Sequence, residues 1–194
     1  MIEIILASKS KVRKEILDKN GLSCEVEPSN VDEDIIKESL TKQKASPEII
    51  SKNLAELKAN KVSQKRPEKI VIGADSVIDL DGKIISKPSS RKEALNILKL
   101  LNNKSHYLIS SVCLSKNGTM IWNFTDKAKL TMKNFSENEL ELYLSKISDQ
   151  NLYAYNVYQI ESEGRKLFLD IKGDENTIMG LPIDKIKDYL KNYE

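Results

Sequence analysis

The sequence predicts an α/β protein, a mixed sheet flanked by helices. Three observations carry this. Short β-branched apolar runs alternate along the 194 residues with amphipathic stretches of helical period. Asp81-Gly82 and Asn117-Gly118 each join two apolar runs, as the turns of antiparallel hairpins do. Strands and helices intermingle to the end in the order βαβαβ(β)αββαββα, with no repeat or low-complexity tract. That order predicts one domain over 1–194 rather than consecutive ones.

Ile2–Ala7 is a continuous apolar strand that runs into the polar turn Ser8-Lys9-Ser10-Lys11-Val12-Arg13. A helix with Val12, Ile16 and Leu17 on one face follows and closes at Asn20-Gly21. Leu22–Val26 reads as a second strand, and Pro28–Asp34, with the trio Asp32, Glu33 and Asp34, as a loop. Pro47–Val62 is an amphipathic helix capped by Ser46, with Ile50, Leu54, Ala55 and Leu57 inward and Lys58 beside them. Gln64–Glu68 connects it to the hairpin of Val71–Leu80 and Ile84–Ser86. Ser89 or Ser90 caps the next helix, whose stripe is Ala94, Leu95, Leu98 and Leu101. Tyr107–Ser115 and Thr119–Thr131 form a long hairpin, and Ser136 caps a helix with Leu140, Tyr143, Leu144 and Ile147 inward. Asp149–Asn151 reads as a loop, and Tyr153–Ile160 and Lys166–Ile171 as strands around Gly164. The turns Gly173-Asp174 and Gly180-Leu181-Pro182 lead to a last helix built on Ile183, Ile186 and Leu190.

Composition narrows the function. Hydrophobic residues make up 40% and charged residues 31%, as in an ordinary globular protein. With 31 basic and 29 acidic residues the net charge is only +2, so no overall field draws the chain to nucleic acid or a membrane. Any anion site must be local. No apolar run approaches the length of a membrane span, and MIEIILASKS has no charged-then-apolar leader, so neither anchor nor signal peptide is expected. Cys24 and Cys113, without CxxC spacing, read as reduced thiols of a cytoplasmic protein, and without a leader the sequons at Asn123 and Asn134 read as incidental. The single histidine, His106, leaves no material for a zinc site, and it is expected to open a strand and bond locally.

Two stretches carry chemistry. Val71–Pro88 places Asp75 inside an apolar strand, where an unpaired carboxylate costs several kcal/mol. Either Asp75 ends the strand by bonding nearby backbone, or the hairpin brings it to Lys87 for metal and phosphate work. The Ser8–Arg13 turn sets two serines and three cations at a helix start, where free backbone N–H groups already favour an anion. Cations there oppose the helix dipole, so the cluster points to a phosphate, although no P-loop is present. Val77–Lys83 also resembles the hhhDxDG motif of haloacid-dehalogenase-like phosphatases, with Asp79 as nucleophile, but Asp81-Gly82 is better read as the hairpin turn.

Leu6–Arg13 with Glu15-Ile16-Leu17 resembles the opening LASxSPRRxELL of the Maf (septum-formation protein) family. Val31-Asp32-Glu33 is similar to its VDE segment, Leu54–Ala59 to LAxxKA, Val71–Val77 to VIGADTVV, Gly82–Pro88 to GxILxKP, and Gly180-Leu181-Pro182 to the closing GLP. The matches keep their order over nearly the whole chain. The resemblance implies an elongated α/β fold of two lobes about a central cleft, like inosine triphosphatases, and sometimes a homodimer. It implies a house-cleaning nucleoside triphosphate pyrophosphatase that yields a monophosphate and pyrophosphate with Mg²⁺ or Mn²⁺. Asp75 would be the catalytic carboxylate, Glu33 would help hold metal or water, and Lys58 and Lys87 would join Ser8, Ser10 and Arg13 on the phosphates. Ser76, which replaces a threonine, Val12 and Gln159 would lie along the substrate. Val12 stands where the family carries arginine, implying a base preference unlike that of pyrimidine-selecting members. The AGAYGIQG segment is barely recognisable in Tyr153–Glu161, and its glutamine falls on Gln159, on Tyr158 or on neither. The family's name also implies an alternative, a non-catalytic nucleotide-binding regulator of septum formation in cell division.

Overall fold

The computed structural model describes residues 3–193, so Ile2 of the first expected strand lies outside it. The chain runs β1 (Ile4–Leu6), α1 (Lys11–Lys19), β2 (Cys24–Val26), α2 (Glu33–Lys42), α3 (Pro47–Ser63), β3 (Ile70–Leu80) and β4 (Lys83–Ile85). It continues α4 (Arg91–Leu101), β5 (Ser105–Lys116), β6 (Thr119–Met132), α5 (Glu137–Ser145) and α6 (Asp149–Tyr155). A 3-10 turn (Glu163–Leu167), β7 (Phe168–Lys172), α7 (Glu175–Ile178) and α8 (Ile183–Lys191) complete it. Among the described residues no helix is long and apolar enough to cross a membrane.

The expected mixed sheet flanked by helices is present, with seven strands among the described residues in the order β2-β1-β3-β5-β6-β7, and β4 beside β3. β1 pairs parallel with β2 and β3, and the remaining pairs are antiparallel. Both hairpin turns have positive φ at their two central residues, Asp81 and Gly82, and Asn117 and Gly118, as tight two-residue turns require.

β3 and β5 are long enough to serve two apolar cores. Ile70, Ile72 and Ala74 of β3 and Val112 and Leu114 of β5 pack with Leu17 of α1 and Ile186 of α8. Ile78 and Leu80, with Leu108, pack with Leu98 of α4, Leu140 of α5 and Phe168 of β7. The cross-strand pair Ser76↔Ser110 falls between them. β1 ends opposite Ile72, and β4 begins to pair only at Ile78. One side of β3 is therefore open over 73–77, at the boundary of the two cores.

α3 lies close on this opening. A Cβ at Gly73 would come 2.2 Å from the Ala55 carbonyl and 2.6 Å from the Ala59 nitrogen, so only glycine admits the helix here. The buried stripe of α3 is Ile50, Leu54, Lys58 and Val62 with Ser51, Ala55 and Ala59. Leu57, expected inward, is exposed, because the four-residue repeat from Ile50 passes through Lys58 instead.

Four segments differ from expectation. The acidic trio is not a loop: Asp32 caps α2 by accepting from the Ile35 N–H, with Glu33 and Asp34 in its first turn. α2 buries no residue fully, and its short apolar face, Ile36 and Leu40, is only half-buried. Asp149–Asn151 opens α6, capped by Ser148. Tyr153–Ile160 is not a strand: it holds the end of α6 and an irregular stretch beginning at Asn156 with φ 75°. Lys166 and Leu167 likewise belong to the 3-10 turn, and the strand starts at Phe168.

Candidate active site

A cleft of about 470 Å³ opens over the free side of β3. The structure brings all ten residues singled out from the sequence to its lining: Ser8, Ser10, Val12, Arg13, Glu33, Lys58, Asp75, Ser76, Lys87 and Gln159. Asp79 is not among them. It accepts from the Gly82 N–H at 2.8 Å and belongs to the hairpin turn.

At the centre, Lys58 Nζ lies 2.8 Å from Asp75 Oδ1 and 2.8 Å from Glu33 Oε1. Asp75 is only 3% exposed and its Oδ2 has no hydrogen-bond partner among the described residues. Its backbone carbonyl accepts from Ser51 Oγ of α3 at 3.1 Å. Glu33 Oε2 faces Lys37 Nζ at 3.5 Å, one turn along α2. Partial burial raises the Glu33 pKa, but the charge and hydrogen bond of Lys58, with Lys37 and Lys87, outweigh it and hold the carboxyl at about 2. Lys87 stands at the open rim; loss of surrounding water lowers its pKa, Glu33 opposing this and Arg13 reinforcing it. Lys37 was missed from the sequence because α2 was. Its spacing of four from Glu33 was the available signal.

The α1 end is built by backbone and hydroxyl groups. Ser10 caps α1 by accepting from the Arg13 N–H, and Ser8 Oγ accepts from the Ser10 N–H at 3.2 Å. The Arg13 side chain donates to Gly180 O, Ser8 Oγ, Ala74 O and Ser76 Oγ, at 2.9 to 3.2 Å. Four of its five N–H donors are thereby engaged by protein, leaving one for a ligand. Burial lowers its pKa, with Asp75 and Glu33 opposing. Arg13 fastens α1, β3 and the Gly180 turn together more than it reaches into the cleft.

The opposite wall comes from the segment after α6. Tyr158 is buried, its hydroxyl 2.9 Å from Nε2 of His106 and its ring edge-on to Phe168 at 4.8 Å. His106 thus bonds across 52 residues rather than locally, and burial drives its pKa down to about 4. Gln159 Nε2 is 3.4 Å from Glu161 Oε1. A Cβ at Gly164 would come 2.5 Å from the Gln159 carbonyl, so this glycine admits the 3-10 turn against the wall.

The donor set suits a hard divalent cation. Asp75 Oδ2 is a buried carboxylate oxygen without a partner among the described residues, and Glu33, on the same Lys58 ammonium, is held anionic. Among the described residues no three His, Cys, Asp or Glu side chains form a cage, but Mg²⁺ and Mn²⁺ commonly take one or two carboxylates and complete their shell with phosphate and water.

Carboxylates at the centre of a cation-rimmed cleft, at the open side of a mixed sheet, define an α/β protein built to receive a polyanion. Comparison narrows this. The chain belongs to the family described as Maf-like protein, whose sequence profile matches residues 3–193. It is 71% identical over 189 residues to the nucleoside triphosphate pyrophosphatase of Pelagibacter ubique, covering 97% of each chain. It is 35% identical to the 7-methyl-GTP pyrophosphatase of Rhizobium etli, over 93% of this chain and 91% of that one. The solved structure of the Staphylococcus aureus Ham1 protein aligns over 99% of this chain and 100% of its own at 14% identity, but its TM-score of 0.47 is too low to carry weight.

Proposed function

We propose that the protein is a nucleoside triphosphate pyrophosphatase, hydrolysing the bond between the α and β phosphates to give a monophosphate and pyrophosphate. The observation that carries this is Asp75, a residue of the cleft lining anchored through Oδ1 to Lys58 while Oδ2 is buried and unpartnered among the described residues. A carboxylate held at one oxygen and free at the other can orient a water and accept its proton as that water attacks phosphorus. Glu33, held at about 2 by its lysines, stays ionised at neutral pH and keeps Lys58 in place. Lys87 and Lys37, with the start of α1 at Ser8 and Ser10, supply the positive field a triphosphate needs. The pyrophosphatase activities for which the Pelagibacter ubique and Rhizobium etli relatives are named support this reading.

Asp75 and Glu33 would hold Mg²⁺ or Mn²⁺, which supplies charge neutralisation and an acidified water when bound. Val12 can pack against a base but cannot hydrogen-bond it, so the chain's base preference departs from that of arginine-bearing members. We assign the activity to removal of non-standard nucleotides in the cytoplasm, in keeping with Cys24 and Cys113, both free thiols.

The test is a panel of ordinary and modified triphosphates incubated with purified protein and Mg²⁺ or Mn²⁺. Release of pyrophosphate and monophosphate is expected. Free phosphate as product sinks the assignment of the cleaved bond. Binding without turnover of any triphosphate favours the non-catalytic regulator.

A further inference from the structure

Ser110 is fully buried at the middle of β5 and lies directly across the sheet from Ser76. Its Oγ sits 2.7 Å from the Thr177 carbonyl oxygen and 2.8 Å from Ser76 Oγ. A carbonyl only accepts, and two oxygens that close without a proton between them repel, so the one Ser110 proton goes to Thr177. The second lone pair of that carbonyl takes the Gly180 N–H, at 3.1 Å. Ser76 must then donate its own proton to Ser110, while Arg13 Nη2 donates to Ser76 at 3.1 Å. One lone pair is all that Ser76 Oγ has left to offer the cleft. Ser8 has the opposite balance. Its Oγ accepts from the Ser10 N–H and from Arg13 Nη1, each at 3.2 Å, so its proton is free.

We propose that this chain of hydrogen bonds sets two cleft hydroxyls to opposite polarity: Ser8 donates to phosphate oxygens, and Ser76, positioned by Ser110, accepts from an O–H or N–H of the nucleoside portion. Resting on the pyrophosphatase reading, the proposal divides the cleft into a part that a bare polyphosphate fills and a part that needs a donor. Ser110 does not line the cleft; it acts through Ser76. Ser76 cannot contribute to holding phosphate, because a lone pair facing an anionic oxygen is repulsive.

The test measures binding and turnover separately. Calorimetry of the intact protein with Mg²⁺ compares inorganic tripolyphosphate, which presents only phosphate oxygens, with a turned-over nucleoside triphosphate in its non-hydrolysable α,β-methylene form. Ser8→Ala should weaken both ligands, and Ser76→Ala only the nucleotide, each by about three- to tenfold, the size of one hydrogen bond. Ser110→Ala releases the Ser76 proton, so it should weaken the nucleotide, leave tripolyphosphate unchanged or tighter, and raise KM more than it lowers kcat. Ser110→Thr, which keeps the hydroxyl, should restore both values. Ribo-, 2′-deoxy- and 3′-deoxy forms of the same nucleotide separate a sugar donor from a base donor, since only a sugar donor makes one deoxy form insensitive to Ser76→Ala. Equal loss of tripolyphosphate in Ser8→Ala and Ser76→Ala overturns the proposal, as does failure of tripolyphosphate to bind at millimolar concentration. Thermal melting of each variant separates these results from misfolding. Binding as expected with no turnover would sink the enzyme reading alone.

Discussion

Asp75 Oδ1 and Lys58 Nζ are 2.8 Å apart, with side chains only 5% and 7% exposed, and Glu33 completes the arrangement from the other side of the ammonium. Removing one member of a buried ion pair is costly when it leaves a charge unpaired, but loss of the Asp75 charge leaves Lys58 paired with Glu33 and relieves a buried carboxylate whose Oδ2 has no partner among the described residues. Asp75→Asn should therefore fold, its melting temperature close to that of the wild type, while pyrophosphate release falls by about 10²- to 10⁴-fold, the range for losing a positioned base. Lys58→Met should melt at a clearly lower temperature, because it strands both carboxylates. A wild-type rate in Asp75→Asn removes the central assignment.

Gly73 decides how near α3 comes to β3, and so whether Lys58 reaches Asp75. The added methyl of Gly73→Ala meets the Ala55 carbonyl at 2.2 Å, a backbone atom that can yield only if the helix moves. Overpacking of this kind costs about 1–3 kcal/mol, read as a lower denaturant midpoint. Activity should fall further than the loss of folded protein accounts for, since the helix carries Lys58 away from Asp75.

The depressed Glu33 pKa sets a direction for acid stability. In the folded protein the carboxyl stays ionised down to about 2, against an ordinary value of 4.5, so at acid pH the unfolded chain binds more protons. The contribution is fully present above the ordinary value and disappears as pH falls through about 2. Melting temperature followed against pH should show Glu33→Gln less stable than wild type at pH 7, with the gap closing in acid. A gap that stayed constant from neutral to strongly acid pH would mean that Glu33 is not held this way. Glu33 is partly open to solvent, which trims the size of the effect and leaves its sign unchanged.

Asn156 ends α6 at φ 75° and ψ −167°, a region that essentially only glycine enters without strain. Its Oδ1 offsets part of the cost by accepting from the Val157 N–H at 2.9 Å. Asn156→Ala should destabilise by about 1–3 kcal/mol, because it keeps the strain and loses that bond, whereas Asn156→Gly should melt at or above the wild-type temperature. If the alanine variant is as stable as the glycine one, the segment is not strained there.

Legibility followed the kind of signal each segment carries. β3 and its hairpin could be read because an apolar run, a carboxylate inside it and Asp81-Gly82 are all local. α2 could not, because its stability comes from the Asp32 cap, acidic residues in its first turn and the Glu33–Lys37 pair, with no residue fully buried. Tyr153–Ile160 alternates like a strand, yet its apolar members Val157, Tyr158 and Ile160 are buried by a wall that the 3-10 turn and Phe168 close from behind. Periodicity alone could not separate the two. The glycine-like position at Asn156 was the one local sign, since asparagine tolerates positive φ better than most side chains.

By itself the sequence determined the sheet-and-helix class, the main hairpins and caps, and Asp75 with Lys87, because these depend on residue type and short spacing; Glu33 and Lys58 were singled out only by the resemblance to the Maf family. Tertiary structure alone decided that one ammonium stands between two carboxylates 42 residues apart, that Arg13 is a strut between α1, β3 and the Gly180 turn, and that Ser76 is turned to accept. Those are properties of through-space partners. A hydroxyl or guanidinium has fixed donors and lone pairs, and which of them remain for a ligand is known only after the folded neighbours have taken theirs.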